Sequence, residues 1–220
     1  RAAVSTASAD AASRLIVALD VDTLTAALQV ARRLRGVVRR VKVGSVLFTG
    51  AGPEAIRRLR ALGFEVFLDL KFHDIPSTVE KSVRAAAHHG VWMLTVHASG
   101  QSAMLEAAAR GAREEAARLG RPRPLIVGVT VLTSVEAARA SAVTRRVLEL
   151  AGAARQAGLD GVVASPQEAA ALRRRLGPGP LIVCPGIRPA DGQAGDQQRI
   201  ATPSQALAAG ASCLVVGRPI

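Results

Sequence analysis

The chain has 220 residues, of which 49% are hydrophobic and 2% aromatic, and its formal net charge is +12. That length suits one domain with a substantial core. No apolar run reaches the roughly 18 residues that cross a bilayer, and the first residues lack the cationic-then-apolar order of a secretory signal. We therefore expect a cytoplasmic protein and exclude an integral membrane protein.

The positive charge first suggests a nucleic-acid partner. Its distribution argues against one, because most basic residues are Arg at helical spacing in Ala-rich segments, as at 173–175, which is typical of a solvated helix face. The chain has no Tyr and only 2% aromatic residues, so base-stacking platforms are scarce. We predict no nucleic-acid partner, although a basic surface can raise the encounter rate of a small anion.

The two cysteines, Cys184 and Cys213, lie within apolar runs. We interpret them as small buried residues with reduced thiols, rather than as a disulfide or a metal-binding pair. No combination of His, Cys and Asp has the spacing of metal ligands, so the sequence predicts no metal.

Short β-branched runs alternate with Ala-, Leu- and Arg-rich helical stretches along the chain. The strand-like runs are almost continuously apolar, as expected for parallel strands that are covered on both faces. The predicted strands are 15–20, 38–44, 65–71, 92–97, 125–132, 161–164, 181–184 and 213–217. The predicted helices are 23–35, 52–62, 76–89, 101–119, 143–157, 166–175 and 202–209. This α/β order gives a doubly wound sheet or a TIM (β/α)8 barrel, and its regular spacing favours the barrel.

The predicted domain organisation is simple. We expect residues 1–14 to be an N-terminal extension and residues 15–220 to form a single barrel domain, because no linker divides the chain. The sequence stops at Ile220, directly after the eighth predicted strand, without residues for an eighth helix. Since barrels of this type usually run to about 250 residues, we expect the natural chain to continue.

Charged residues occur where the first three predicted strands end. In a barrel of this type the functional side chains gather at the carboxyl ends of the strands. The four charged residues at that end are Asp20, Lys42, Asp69 and Lys71. Because a charge is costly to bury alone, their shared position indicates a site at the barrel mouth. The structural alternative is a salt-bridge cluster that only closes the mouth.

The segment VFLDLKFHDIP, residues 66–76, carries the strongest signal. Asp69 and Lys71 are two residues apart on a strand, so both are predicted to project from one face, with their Cα atoms roughly 7 Å apart. Asp74 lies beyond the strand end, and Pro76 suits the first turn of a helix. Because nearby carboxylates favour the charged form of an amine, Lys71 is predicted to be a fixed cation and proton donor, not a Schiff-base nucleophile.

A series of motifs between residues 15 and 220 follows one order: VALD, KVG, FLDLKFHDIPST, VHASG, VTVLTS, GLDGVVAS, PGIRP, GDQQRIATP and VVGRP. In that order they resemble the bacterial orotidine 5'-phosphate decarboxylase family. DLKFHDIP together with PGIRP and VVGRP is specific, whereas DxKxxD alone also occurs in related barrels. The resemblance implies a cofactor-free lyase that converts orotidine 5'-phosphate to uridine 5'-phosphate and carbon dioxide in pyrimidine synthesis.

The resemblance also implies a role for each matching residue. Lys71 matches the lysine that protonates C6 of the pyrimidine, and Asp69 matches the aspartate beside the departing carboxylate. Asp74 and Thr78 match residues that reach the neighbouring subunit's site, which implies a homodimer, and Asp74 and Lys42 complete the implied catalytic set. The implied substrate contacts are Lys42 and Asp20 at the ribose, Ser165 at the pyrimidine, Gln197, Gly217 and Arg218 at the phosphate, and Arg188 and Thr133 at further positions.

Two features qualify this interpretation. The stretch PADGQAGDQQ, residues 189–198, lacks apolar anchors and is predicted to be a mobile lid. Gln101 stands where the family often has a second Gly after VHASG. If that turn needs a positive φ, Gln costs roughly 1 kcal/mol there, although Gln101 could equally begin the next helix.

Two alternative functions stay open at this point. One is a magnesium-dependent sugar-phosphate decarboxylase or aldolase on the same barrel. The other is a basic nucleic-acid-binding protein that uses the barrel only as a scaffold.

Overall fold

A computed structural model describes residues 12–132, 140–188, 200–218 and 220. Within these ranges eight parallel strands, each paired with the next, close into a barrel through β8 and β1. The strands are β1 Leu15–Ala18, β2 Arg40–Gly44, β3 Glu65–Phe72, β4 Met93–His97, β5 Leu125–Val129, β6 Gly161–Val163, β7 Leu181–Cys184 and β8 Cys213–Val216. The predicted barrel is confirmed and the doubly wound sheet is excluded. Most of the predicted extension 1–14, the predicted lid 189–198, Thr133 and Gln197 lie outside the described residues.

Helices cover the outside of the barrel. They are α1 Leu24–Leu34, α2 Ser45–Ala51, α3 Pro53–Ala61, α4 Pro76–His88, α5 Gln101–Leu119, α6 Ala140–Gln156, α7 Ala169–Leu176 and α8 Pro203–Ala208. Local signals explain several of their first turns, because α3, α4 and α8 begin at a proline, and the Thr23 side chain accepts a hydrogen bond from the Ala26 amide of α1. Helix α2 was not predicted; Gly52, at φ +58°, separates it from α3. In the part of the chain that the structure describes, no helix is long and apolar enough to span a membrane.

The apolar core has two layers, one on each side of the strands. Side chains such as Ile16, Phe67 and Met93 fill the barrel interior. A larger cluster packs the outer strand faces against the helices, and it includes Val17 and Val41. Because successive strand residues alternate between two apolar layers, the strands appear in the sequence as continuous apolar runs.

The two cysteines belong to different layers of this core. Cys213 lies in the barrel interior, Cys184 lies in the outer layer, and both are free thiols. Burial, followed by the nearby Glu168 carboxylate, raises the pKa of Cys184 to about 12. Burial also raises the pKa of Cys213. The prediction of buried thiols is confirmed.

The pairing of β3 with β4 is irregular at its carboxyl end. Leu68 lies opposite Leu94 and Phe72 lies opposite Val96, so the three residues between Leu68 and Phe72 face only Thr95. In this bulge Lys71 has a φ of +53°, a region that residues with a side chain seldom adopt. The predicted strand 65–71 is present as β3, but its pairing with β4 is not regular through Lys71. A bulge, rather than the two-residue repeat of a strand, sets the position of Lys71 relative to Asp69.

The turn after β4 contains a second strained position. Gln101 has φ +65° and ψ 166°, a region that is essentially limited to glycine. It is also the first residue of α5. Both expectations for Gln101 are thus met at once, since the turn requires a positive φ and the helix begins there.

Candidate active site

Four charged side chains form a continuous array at the carboxyl end of the barrel. Asp20 follows β1, Lys42 lies on β2, and Asp69 and Lys71 lie on β3. The Lys42 Nζ atom is 3.1 Å from Asp20 Oδ1 and 3.5 Å from Asp69 Oδ2. The Lys71 Nζ atom is 3.0 Å from Asp69 Oδ1. The array therefore alternates in sign from end to end, and the structure brings together the four charges that the sequence placed at the mouth.

Burial differs along this charge array. The side chains of Lys42 and Asp69 are only 12% and 14% exposed, whereas those of Lys71 and Asp20 are 35% and 57% exposed. Buried charges need close partners of opposite sign, and Lys42 and Asp69 supply these to each other and to the outer pair. The amine of Lys71 is thus held by Asp69 while it stays accessible from the barrel mouth.

The charge array forms one wall of an open pocket. The lining also includes the apolar side chains of Val129, Val163, Val215 and Phe67. A pocket that combines apolar side chains with a few polar groups is typical of small-molecule sites. The predicted site residues that line the pocket are Asp20, Lys42, Asp69, Lys71, Arg188, Gly217 and Arg218.

Small residues keep space beside the charge array. A Cβ atom at Gly217 would lie 3.3 Å from Asp20 Oδ2, and one at Gly44 would lie 3.2 Å from Lys42 Nζ. Both contacts are tighter than ordinary van der Waals contact. Glycine at these two positions therefore leaves the outer charged atoms open to a ligand.

Thr95 is a buried residue that the sequence analysis missed. Its side chain on β4 has no exposed surface. The hydroxyl accepts a hydrogen bond from the Lys71 amide at 2.8 Å and donates one to Asp69 Oδ1 at 3.0 Å. The available signal was a hydroxyl in the otherwise apolar run MLTV, since a buried hydroxyl needs a partner.

Arg188 and Ser165 are both buried, but they lie differently with respect to the pocket. Arg188 lines it, is 7% exposed and donates a hydrogen bond from Nη1 to the Ile187 carbonyl at 3.0 Å. Ser165 has no exposed surface and is not part of the lining, and its hydroxyl accepts a hydrogen bond from the Gln167 amide at 3.3 Å. The role of Ser165 at a pyrimidine therefore stays a prediction.

Asp74 and Thr78 lie outside the pocket of their own chain. Both are exposed, Asp74 between β3 and α4 and Thr78 in the first turn of α4. Asp74 Oδ1 accepts a hydrogen bond from the Ile75 amide at 2.6 Å. Lys71 is therefore paired with Asp69 within the chain, and its second expected carboxylate partner, Asp74, makes its observed hydrogen bond elsewhere.

His97 lies at the end of β4, beside the charge array. Burial lowers the pKa of His97, and the nearby His73 and Lys71 lower it further, whereas Asp69 opposes them. The ring centroids of His73 and His97 are 5.3 Å apart. The lowered pKa favours the neutral form of His97 next to Lys71 near neutral pH.

The acidic groups of the mouth are not arranged as a metal centre. Among residues 12–132, 140–188, 200–218 and 220, no three His, Cys, Asp or Glu side chains are grouped so that they could hold a metal ion. The position between Asp20 and Asp69, where a divalent cation would bridge two carboxylates, is occupied by the Lys42 ammonium. The Lys42 ammonium thus supplies the positive charge between the two carboxylates that a metal ion would otherwise supply.

The fold and the pocket define a (β/α)8-barrel enzyme with a charged pocket at the mouth. Residues 13–220 match the model of the orotidine 5'-phosphate decarboxylase / HUMPS family. The chain is 54% identical to an orotidine 5'-phosphate decarboxylase of Halorhodospira halophila, over 94% of this chain and 88% of that protein. It is 52% identical to one of Moorella thermoacetica, over 96% and 86%.

A solved structure supports the same assignment. The orotidine 5'-phosphate decarboxylase of Lactobacillus acidophilus superposes with a TM-score of 0.82 at 38% identity, and the match covers 94% of this chain and 91% of that one. The chain therefore belongs to the orotidine 5'-phosphate decarboxylase / HUMPS family.

Proposed function

We propose that this protein decarboxylates orotidine 5'-phosphate to uridine 5'-phosphate in pyrimidine synthesis, without a metal or an organic cofactor, and that Lys71 protonates C6. Membership of the family and the shared name of the relatives support the carboxy-lyase activity. The observation that carries the residue assignment is the Lys71 amine, held 3.0 Å from Asp69 and facing an open pocket.

The decarboxylation requires a positive charge close to C6 of the pyrimidine. The bond between C6 and its carboxylate breaks, carbon dioxide leaves, and the electron pair stays on C6 in the plane of the ring, where no π system delocalises it. A proton from Lys71 Nζ then forms the new C6–H bond, and solvent reprotonates the amine. A unit charge pair at 4 Å is worth about 4 kcal/mol at an effective dielectric constant of 20, so Lys71 also stabilises the carbanion before the proton moves.

The neighbours of Lys71 complete this mechanism. Asp69 holds the amine in place at 3.0 Å, and we assign the departing carboxylate to a position beside it. Lys42, between Asp69 and Asp20, balances the two carboxylates, so the buried part of the array carries no excess negative charge. The more exposed Asp20 carboxylate, with Lys42, is suited to bind the hydroxyls of a ribose.

Binding energy from the phosphate adds to the charge effect of Lys71. Arg218 and Gly217 follow β8 at the rim of the pocket, and Arg188 lies after β7. This is the location where barrels of this type commonly bind phosphate. We assign the phosphate to Gln197, Gly217 and Arg218, with Arg188 and Thr133 as further contacts to the ligand. Binding at a distance from the ring can support desolvation and orientation at C6.

A homodimer is part of this proposal. Asp74 and Thr78 are exposed beside the mouth, and the adjacent Ile75 is 64% exposed. Val46, in α2, is 63% exposed as well. Covering these apolar side chains with a second copy would be favourable, and it would bring Asp74 and Thr78 of each subunit towards the site of the other.

A magnesium-dependent activity on sugar phosphates is the second candidate within the same family. It would require a metal among the carboxylates of the mouth, where Lys42 Nζ lies between Asp20 and Asp69. This arrangement favours the metal-free reaction. A protein that used the barrel only as a scaffold for nucleic-acid binding would not need a pocket lined by these four charges.

The first experiment follows the loss of orotidylate absorbance without added metal and with a chelator. We expect turnover that the chelator does not change, and a decrease of about 10⁴-fold or more for Lys71→Ala, because proton transfer and charge stabilisation are lost together. Lys81→Ala, which changes an exposed lysine of α4, is the matched control and should keep full activity. Full activity of Lys71→Ala would refute the role of Lys71, and inhibition by the chelator would favour the metal-dependent candidate.

A further inference from the structure

The bulge in β3 creates a hydrogen-bonding problem that Thr95 solves. Three residues of β3 face Thr95 alone, so the backbone of β4 cannot pair with each of them. A buried amide without a partner is costly. The Lys71 amide donates instead to the Thr95 hydroxyl at 2.8 Å. The side chain of Thr95 thus replaces the missing backbone acceptor at the point where Lys71 adopts its φ of +53°.

The same hydroxyl also fixes the carboxylate that holds the Lys71 amine. A hydroxyl has one proton to donate and two lone pairs to accept with. Because Thr95 accepts from the Lys71 amide, its own proton is available for Asp69 Oδ1, at 3.0 Å. Asp69 Oδ1 therefore receives the Thr95 hydroxyl and the Lys71 ammonium, both at 3.0 Å. Its other oxygen, Oδ2, faces Lys42 at 3.5 Å.

Thr95 acts on the site without belonging to the pocket. It has no exposed surface and is not among the lining residues. Its hydroxyl links the backbone of Lys71 to the carboxylate beside the Lys71 amine, and so it closes a ring of three contacts around the proton donor. Hydrogen-bonded supports of this kind set the geometry of catalytic side chains.

We propose that Thr95 is a positioning residue, which locks the backbone of Lys71 in the bulge and orients Asp69 so that the amine points at the reacting carbon. This inference rests on the proposed function for its kinetic test. Misplacing a catalytic group by about 1 Å can cost about 10²-fold in rate. Loss of the hydroxyl should therefore act on the chemical step and leave ligand affinity nearly unchanged.

The test compares three variants. Thr95→Val keeps the shape and removes the hydroxyl, whereas Thr95→Ser keeps the hydroxyl. Thr130→Val is the matched control, because Thr130 is also a buried threonine, 6% exposed, and its hydroxyl donates to the Val163 carbonyl at 2.9 Å. We expect kcat to fall about 10- to 100-fold in Thr95→Val, with KM and the affinity for uridine 5'-phosphate within about threefold. Thr95→Ser should keep most of the activity, and Thr130→Val should lose stability in urea without losing kcat.

Three outcomes would overturn the positioning role. The first is an unchanged kcat in Thr95→Val. The second is a decrease of kcat in Thr95→Ser as large as that in Thr95→Val. The third is a decrease of kcat in Thr130→Val that accompanies its loss of stability. Thr95→Ala replaces Thr95→Val in the same comparison should the valine variant not fold. Absence of turnover in the unmodified protein would instead refute the proposed function. In that case crystal structures of the unmodified protein and of Thr95→Val would test the inference. It requires that the contact between Lys71 Nζ and Asp69 Oδ1 is lost in Thr95→Val, and an unchanged contact would overturn it.

Discussion

The two ends of the barrel both contain partly buried charge, but they use it differently. On β2, Arg40 faces the base of the barrel, and Lys42, two residues later, faces the mouth. Arg40 lies 4.1 Å from the centroid of the Trp92 ring, is 3.0 Å from Glu65 and donates to the Ser13 carbonyl. These three contacts of Arg40 all join parts of the fold.

A second arginine at the base shows the same pattern. Arg173 donates hydrogen bonds to the carbonyls of Gly177, Pro180 and Gly210 and to the Ser212 hydroxyl. Our expectation that residues 173–175 form a solvated helix face is therefore wrong for Arg173. The guanidinium joins the C-terminal end of α7 to the segments that precede β7 and β8.

The mouth, in contrast, holds its charges around open space and on strained backbone. Lys71 and Gln101 are the residues other than glycine with a positive φ among those that the structure describes. Lys71 is the second-last residue of β3, and Gln101 lies in the turn after β4. Strained backbone of this kind concentrates at functional sites. The comparison shows that the charges at the base join parts of the fold, whereas the charges at the mouth line an open pocket.

Lys42→Met tests the mouth half of this comparison and has the largest expected effect among the tests of the two ends. We expect kcat/KM to fall about 10²- to 10³-fold, because a fixed charge beside Asp69 is lost. The free energy of unfolding should change by no more than about 1 kcal/mol, because Asp69 keeps Lys71 and Thr95 as partners and is not left unsatisfied, and because Asp20 is 57% exposed to water. Steady-state kinetics and urea unfolding measure the two effects.

Arg40→Met makes the same change two residues away and should give the opposite result. The free energy of unfolding should fall by about 1–3 kcal/mol, because the contact with the Trp92 ring and the hydrogen bond to Ser13 are lost. Glu65 keeps Arg39 as a partner at 2.7 Å. We expect kcat to stay within about twofold. A loss of activity in Arg40→Met comparable to that in Lys42→Met would show that the two ends are not separable.

Gln101→Gly tests whether the strain at the mouth can be removed. Glycine adopts the observed φ of +65° freely, so we expect the free energy of unfolding to rise by about 1 kcal/mol. Gln156→Gly, at the end of α6, is the matched control and should lower it by about 0.5–1 kcal/mol, because its position is helical. Chemical denaturation of both variants measures whether the free energy of unfolding rises or falls. A loss of stability in Gln101→Gly would mean that contacts of the Gln101 side chain outweigh the backbone strain.

The sequence predicted the barrel and the gathering of charge at its mouth because both follow from repeating patterns. The apolar runs repeat from strand to strand, and Asp20, Lys42 and Asp69 mark the carboxyl ends of three of them. The bulge at Lys71 was beyond prediction, since it depends on the register between two strands and on a hydroxyl of the neighbouring strand. The interpretation of Arg173 was wrong for a related reason. Helical spacing predicts which side chains lie on the outer face of a helix, but it does not predict which of them donate hydrogen bonds to neighbouring carbonyl groups.

The smallest predicted effect concerns pH and separates the mouth from the base once more. Burial, followed by His73 and Lys71, lowers the pKa of His97 below its ordinary value of 6.5, although Asp69 opposes this shift. The unfolded chain therefore takes up a proton more readily than the native protein, and the free energy of unfolding should fall as the pH drops below about 6.5. Since burial also lowers the pKa of His89, part of this fall is independent of His97.

The His97→Gln variant isolates the contribution of the mouth. Urea unfolding at about pH 7.5 and about pH 5.5 should show a smaller loss of stability on acidification in His97→Gln than in the unmodified protein. His89→Gln is the matched comparison on the outer surface. It should remove a different part of the acid-induced loss of stability, so the effects of His97→Gln and His89→Gln should add in the double variant. An equal loss in His97→Gln and the unmodified protein would contradict the assignment, because it would mean that protonating His97 beside Lys71 does not affect the stability of the native protein.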